Sequence, residues 1–130
     1  MLNYIIRYKF SILLAILIAL LSLLPSSSLP DSELFSVRFL DKIIHLSMYL
    51  GFGFVFLAES RCYSACFWFH LKLMLIVFAM SALIELLQET VIRTRSAEWF
   101  DLLANLTGLI AGYLVFRIAL KLKIIKQVKS

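Results

Sequence analysis

Polar and ionisable side chains recur at helical spacing inside otherwise apolar sequence. Asp41, His45 and Tyr49 are four residues apart in the stretch DKIIHLSMYL, so a helix would place them on one face. A carboxylate beside an imidazole fixes the tautomer of the ring and stabilises its protonated form. The spacing therefore indicates either proton transfer or the binding of a polar group.

Two later apolar segments carry comparable polar faces. In the first, three side chains share a face at i, i+3 and i+4, namely Glu85, Gln88 and Glu89. In the second, Asn105 follows Asp101 by one helical turn. A charged side chain at the centre of a bilayer costs about 2.5–3.5 kcal/mol, so such residues face other helices and find partners there. We therefore expect the three polar faces to meet in one pocket.

Three roles are open for these side chains. His45 or Glu85 could act as a general acid or base, although no serine or cysteine is placed as an obvious nucleophile. The oxygen and nitrogen atoms that could ligate a divalent cation belong to Asp41, His45, Glu85, Asp101 and Asn105. The spacing assigns no metal and no cofactor. The groups could also pair with one another only to hold the helices together.

The composition of the whole chain is that of a membrane protein. Of its 130 residues, 62% are apolar and 16% are charged, with a mean hydropathy of +0.95. A soluble domain of this size could not remove so much apolar surface from water. A formal net charge of +5 would suit a nucleic-acid binder, but many basic residues flank the apolar runs. That placement argues for orientation in a bilayer and against nucleic acid.

Four apolar segments predict an all-α integral membrane protein with a single domain over residues 1–130. The predicted transmembrane helices cover about 5–24, 41–58, 71–92 and 101–122. They must be helical, because lipid offers the backbone no hydrogen-bond partners and the segments exceed the length of a barrel strand.

The connections between these segments predict their direction. Of the 13 Lys and Arg residues, nine belong to the N-terminal end, to the break around 59–72 and to the C-terminal tail. The other four are Arg38, Lys42, Arg93 and Arg95. By the positive-inside rule both termini face the cytoplasm, with the basic tail 117–130 against anionic lipid. The polar faces then lie near the outer surface.

Three local patterns have alternative interpretations. Arg7 and Lys9, an apolar run and then PSSS resemble a signal peptide, although we expect this segment to remain as a helix. Cys62, Cys66 and His70 share a face, but their spacing matches no common zinc motif. The glycine pair of the last segment, Gly108 and Gly112, predicts close helix packing within the chain, with dimerisation as the alternative.

Three pieces of the sequence together resemble the VanZ-like family of small bacterial membrane proteins. They are DKIIHLSMY, IELLQ and RSAEWFDLLANLTGLIAG, in the order of the family and at near-family spacing. The positions that match are Asp41, Lys42, His45, Tyr49, Glu85, Gln88, Arg95, Asp101, Asn105, Gly108 and Gly112. Members often have a Pro-Gly turn before the motif arginine, where this chain has Arg93-Thr94. Either Arg93 or Arg95 could therefore take the family position.

The resemblance implies a role at the outer face of the bacterial cytoplasmic membrane. The namesake of the family is associated with low-level resistance to teicoplanin, a lipid-bearing glycopeptide that acts on outward-facing cell-wall precursors. We expect a multi-pass envelope protein that binds an anionic or amphiphilic ligand, either a lipid-linked precursor or a lipoglycopeptide. Lys42 and Arg95 would attract its phosphate or carboxylate.

Two other functions remain as alternatives. One is an intramembrane enzyme that acts on a lipid-linked substrate, with His45 or Glu85 in proton transfer. The other is a structural or scaffold subunit of a membrane complex, for which an oligomer remains open.

Overall fold

The computed structural model of the chain describes residues 2–22, 38–60, 67–91, 99–122 and 124–125. The helices in these ranges are α1 (Leu2–Arg7), α2 (Lys9–Ser22), α3 (Arg38–Ser60), α4 (Phe67–Val91) and α5 (Trp99–Lys121). Three segments are long and apolar enough to cross a bilayer: Asp41–Ser60, Phe67–Leu87 and Trp99–Lys121. The all-helical prediction is confirmed for the described ranges, and the last three predicted segments contain helices whose length and composition suit a membrane span.

The first predicted segment forms a shorter apolar helix than expected. α1 ends at Arg7, Tyr8 forms a turn, and α2 then has 14 residues. At a rise of about 1.5 Å per residue, α2 is about 21 Å long, less than the hydrocarbon thickness of about 30 Å. Leu23 and Leu24, at the predicted end of this segment, lie outside the described residues.

The three longer helices begin earlier than predicted. Their first residues are Arg38, Phe67 and Trp99. The apolar runs predict starts near residues 41, 71 and 101. In α4 and α5 the added residues are mostly aromatic and exposed, with Phe67 51% and Trp99 81% accessible. Aromatic side chains favour the boundary between lipid and water, so a helix can continue through them beyond its apolar core.

α3 and α5 run side by side in the same direction, and two glycines determine how close they come. A Cβ atom added to Gly112 would lie 2.5 Å from the carbonyl oxygen of Leu50 in α3. One added to Gly108 would collide with the carbonyl oxygen of Leu46. The backbones are therefore in direct contact, as small-xxx-small pairs allow in membranes.

α2 is attached to the far end of α3 by a carboxylate. Glu59 accepts hydrogen bonds from the backbone N–H groups of Phe10 (3.0 Å) and Ser11 (2.8 Å), and from the Ser11 hydroxyl (2.6 Å). Arg7 donates to the backbone carbonyl oxygens of Glu59 and Ser60, the last residues of α3. These contacts satisfy the free N–H groups of one helix start and the free carbonyls of another helix end.

An apolar cluster packs between the helices beside several buried polar side chains, and the outward faces are largely apolar, as lipid requires. The buried core consists of Ile18, Tyr49, Leu57, Met74, Val77, Leu109 and Phe116. His70 is also fully buried, with its ring 5.7 Å from that of Phe116 and 6.0 Å from that of Tyr113. Cys62 and Cys66, which share its predicted face, lie outside the described residues.

Candidate functional site

Three helices bring polar side chains together where α3 and α5 begin and α4 approaches its end. We call these residues the polar cluster: Asp41, Lys42, His45, Tyr49, Ser81, Glu85, Asp101 and Asn105. Spacing explains the arrangement, because positions 41, 45 and 49, positions 81 and 85, and positions 101 and 105 are each one helical turn apart. Packing of the glycine pair of α5 against α3 then brings the faces into contact.

Asn105 lies at the centre of the cluster and is fully buried. Its Oδ1 is 3.0 Å from Nδ1 of His45. Its Nδ2 donates to Oγ of Ser81 at 2.9 Å and points to Oε1 of Glu85 at 3.4 Å. One carboxamide therefore connects all three membrane-spanning helices, because the three partners belong to α3 and α4 while Asn105 belongs to α5.

His45 has a different hydrogen-bond partner from the one the sequence suggested. Asp41, one turn away on the same helix, was the expected carboxylate, but the ring makes its hydrogen bond to Asn105 of the neighbouring helix. A second carboxylate is also near, since Nδ1 of His45 is 3.7 Å from Oε1 of Glu85. Both His45 and Glu85 are buried, with accessibilities of 3% and 6%.

Lys42 and Asp101 form an ion pair at the end of the cluster. The Lys42 ammonium lies 2.9 Å from Oδ1 of Asp101. The Lys42 side chain is 24% accessible and the Asp101 side chain only 5%. The ammonium is also 5.8 Å from the centroid of the exposed Phe100 ring. A cation therefore stands between the buried polar groups and the surroundings of the protein.

Sequence reasoning missed Ser81. Its hydroxyl accepts from Asn105 and also forms a hydrogen bond with Tyr49, so it joins α4 to both α5 and α3. A serine in an apolar run is usually a small packing residue, so Ser81 alone did not indicate a functional site. Its position four residues before Glu85 was the one available indication.

Part of the cluster has the composition of a metal site. One ligand atom from each of Asp41, His45 and Asp101 lies within 4.8 Å of the other two. His45 and Asp101 are buried, and Asp41 is partly exposed. Two carboxylates and an imidazole are ligands that suit several divalent transition metals.

Some predicted site residues cannot be placed against this geometry. Gln88 belongs to α4, but its side chain is outside the described part of the structure, and so are Arg93 and Arg95. Which arginine is nearer the cluster therefore stays a prediction.

An apolar groove of about 390 Å³ lies between α4 and α5, below the polar cluster. Its walls are Phe67, Leu71, Met74, Leu75, Phe78, Leu106, Leu109, Ile110, Tyr113 and Leu114. Leu106 directly follows Asn105 in the chain, so the groove begins next to the polar network and extends away from it.

Comparisons with known proteins identify the family of the chain. No curated protein and no solved structure matches the chain. A family model described as VanZ/LLP1 matches residues 4–120, a range that begins within α1 and ends one residue before the end of α5. The chain belongs to the VanZ/LLP1 family.

Proposed function

We propose that the polar cluster binds the anionic head group of an amphiphilic molecule of the cell envelope, such as a lipid-linked cell-wall precursor or a lipoglycopeptide. The supporting observation is the position of Lys42, an accessible cation directly beside buried hydrogen-bonding groups. A cation, an imidazole and a carboxamide within one membrane-embedded cluster suit an anionic head group, such as a phosphate or carboxylate, better than they suit the hydrocarbon chains of lipid.

The ion pair provides a mechanism for recognition. Lys42 is held by Asp101, but its side chain is the more accessible of the two, so its ammonium can turn to an incoming anion. The phosphate would then replace the Asp101 carboxylate as the partner of Lys42. The hydrogen bond from the ammonium to the phosphate would be charge-assisted, as the one to Asp101 is. His45 and Asn105 would hydrogen-bond the remaining polar atoms of the head group.

The apolar groove is the place for the acyl or prenyl chain of this ligand. From Asp101 to Leu114 is 13 residues of α5, or about 20 Å at 1.5 Å per residue. That distance is comparable with an extended lipid chain. The walls of the groove expose no polar surface, so the chain would replace other lipid without loss of hydrogen bonds.

Charge at the two ends of the helices supports an outward-facing cluster. Arg7 contacts the far end of α3, and Lys72 and Lys121 lie near the start of α4 and the end of α5, which is the same end. Basic residues favour the cytoplasmic side, so we place the cluster at the outer face of the bacterial cytoplasmic membrane.

A comparison of charged and neutral lipids tests this proposal. The detergent-purified full chain is titrated with a polyprenyl monophosphate and with the matching uncharged polyprenol, and bound lipid is counted by native mass spectrometry. We expect the phosphate to bind at least tenfold more tightly, since a hydrogen bond to a charged group contributes about 1.5–3 kcal/mol. A parallel titration with teicoplanin tests whether a lipoglycopeptide competes for the same site.

Matched variants assign the preference to the cluster. Lys42→Met should abolish the preference for phosphate, whereas Lys72→Met removes an equal charge at the other end and should leave it unchanged. Lys42→Met leaves the buried Asp101 carboxylate without this cation, which could destabilise the fold. The double variant Lys42→Met with Asp101→Leu removes both charges of the pair and should show the same loss of preference for phosphate. Equal affinity of the unsubstituted chain for both lipids would contradict the proposal.

The contact between His45 and Glu85 favours a second candidate, an enzyme acting on a lipid-linked substrate. A carboxylate 3.7 Å from an imidazole would need to approach by about 0.5 Å to reach the hydrogen-bond distance at which a proton can transfer. To detect hydrolysis, the chain is incubated with radiolabelled polyprenyl diphosphate, and the mixture is then analysed for released phosphate. Product formation that is lost in His45→Gln, with lipid binding retained, would support the enzyme over a binding protein.

A further inference from the structure

We infer that Asp41, His45 and Asp101 hold a divalent transition-metal cation, of which Zn²⁺ is the best fit, and that this ion contacts the anionic head group. The inference rests on the proposed function for the role of the ion, although the metal site itself can be tested alone. One ligand atom from each residue lies within 4.8 Å of the other two. Ligands of a tetrahedral Zn²⁺ at about 2.0–2.2 Å are about 3.3–3.6 Å apart, so side-chain movements of up to about 1.5 Å would complete the site.

The hydrogen bonds around Asn105 fix which nitrogen of His45 is available. Oε1 of Glu85 lies 3.4 Å from one terminal atom of the Asn105 carboxamide. Because a carboxylate oxygen accepts hydrogen bonds, that atom must be the donor Nδ2. The other atom, 3.0 Å from Nδ1 of His45, is then the acceptor Oδ1. Nδ1 must therefore carry the proton, and the lone pair of the neutral ring is on Nε2.

This tautomer is the one a metal ligand needs. Histidine ligands commonly donate their second ring N–H to a carbonyl or carboxylate, which orients the ring and increases its basicity. His45 is buried, and both its hydrogen bond to Asn105 and its contact with Glu85 use Nδ1. Because Asn105 accepts from Nδ1, the ring offers Nε2 to a metal ion, and a ligand atom of the ring lies within 4.8 Å of a carboxylate oxygen of Asp41 and of one of Asp101.

The ligand set also indicates the type of ion. An imidazole nitrogen disfavours Ca²⁺ and Mg²⁺, which take oxygen ligands, and three protein ligands leave a fourth position of Zn²⁺ open. A phosphate oxygen of the head group would occupy that position. Lys42, which now pairs with Asp101, would be released to contact the same anion.

Metal binding is measured with Zn²⁺ alone, without lipid. The metal-stripped full chain with Cys62→Ser and Cys66→Ser, which removes the thiols as competing ligands, is titrated in detergent by calorimetry. We expect one Zn²⁺ per chain. Asp41→Asn and Asp101→Asn should each weaken binding by tenfold or more, whereas Glu59→Gln, a carboxylate at the other end of α3, should not change it.

Co²⁺ provides a second measurement, which reports the coordination geometry of the bound ion. In the same thiol-free chain, Co²⁺ should give visible d–d bands of a four- or five-coordinate site, and Asn105→Leu should shift them, because the ring of His45 loses its orienting acceptor. Absence of stoichiometric Zn²⁺ binding, or binding that Asp41→Asn and Asp101→Asn leave unchanged, overturns the inference.

The lipid titration separates this inference from the proposed function. If polyprenyl phosphate still binds through Lys42 while no Zn²⁺ binds, the metal site is wrong and the binding function remains. If Zn²⁺ binds at these residues but lipid phosphate gains nothing from it, the metal site is supported and its role as a head-group ligand is overturned.

Discussion

The contact between α3 and α5 gives a prediction with opposite signs at two glycines. At Gly112, an added Cβ would lie 2.5 Å from the Leu50 carbonyl oxygen, whereas ordinary contact begins at 3.4 Å. The helices would have to separate by the difference, about 0.9 Å. At Gly51, in the interior of α3, an added Cβ would meet nothing within 4 Å. Gly112→Ala and Gly51→Ala therefore introduce the same methyl group into two different surroundings.

The expected magnitudes follow from these surroundings. Gly51→Ala should raise the free energy of unfolding by about 0.5–1 kcal/mol, because alanine has the better helix propensity. Gly112→Ala should lower it by about 1–3 kcal/mol, the usual cost of an overpacked contact. Separation of α3 from α5 would also lengthen the 3.0 Å hydrogen bond between His45 and Asn105, so the polar cluster should weaken together with the fold.

Titration with SDS in mixed micelles, followed by circular dichroism, measures both free energies of unfolding under identical conditions. Gly112→Ala should unfold at a lower SDS fraction than the unsubstituted chain, and Gly51→Ala at an equal or higher one. Equal midpoints for the two variants would mean that the backbones of α3 and α5 are not in contact. The geometry of the polar cluster would then lose its support as well.

Two further predictions concern side chains that join helices. Glu59→Gln keeps the shape of the side chain but removes the charge that faces the start of α2, so it should destabilise the fold by about 1 kcal/mol, measured by the same SDS titration. Asn105→Leu should cost about 1–3 kcal/mol, because His45 and Ser81 keep their buried polar atoms and lose a shared partner. Asn105→Gln tests whether any carboxamide can serve there, and full stability of Asn105→Leu would show that the network does not hold the helices.

The sequence predicted what depends on local pattern. Apolar runs indicated the three spans correctly, because their helicity follows from the absence of backbone partners in lipid. One-turn spacing identified which side chains share a face, so Asp41 with His45 and Asp101 with Asn105 could be assigned to common helix faces. The turn at Tyr8 left no comparable pattern, and the first segment was therefore expected to be longer than α2 is.

The partners of these side chains could not be predicted, because they depend on how helices rotate against one another. His45 has a carboxylate one turn away on its own helix, and its observed partner is Asn105, 60 residues further along the chain. Likewise, nothing near Glu59 in the sequence indicates that it accepts hydrogen bonds from the start of α2, 48 residues earlier. Spacing defines a face, whereas packing of glycines against a neighbouring backbone decides what that face meets.

The energetics of the polar cluster argue that stability alone does not explain it. A hydrogen bond between membrane helices contributes about 0.6 kcal/mol on average, and a charged side chain at the bilayer centre costs about 2.5–3.5 kcal/mol. About four to six such bonds would be needed to balance one charged carboxylate at that depth. Glu85, His45 and Asn105 are all buried in the same cluster. Apolar side chains with the glycine contact between α3 and α5 would hold the helices at lower cost. A cluster that costs this much and lies beside an accessible lysine is better explained by what it binds than by what it holds together.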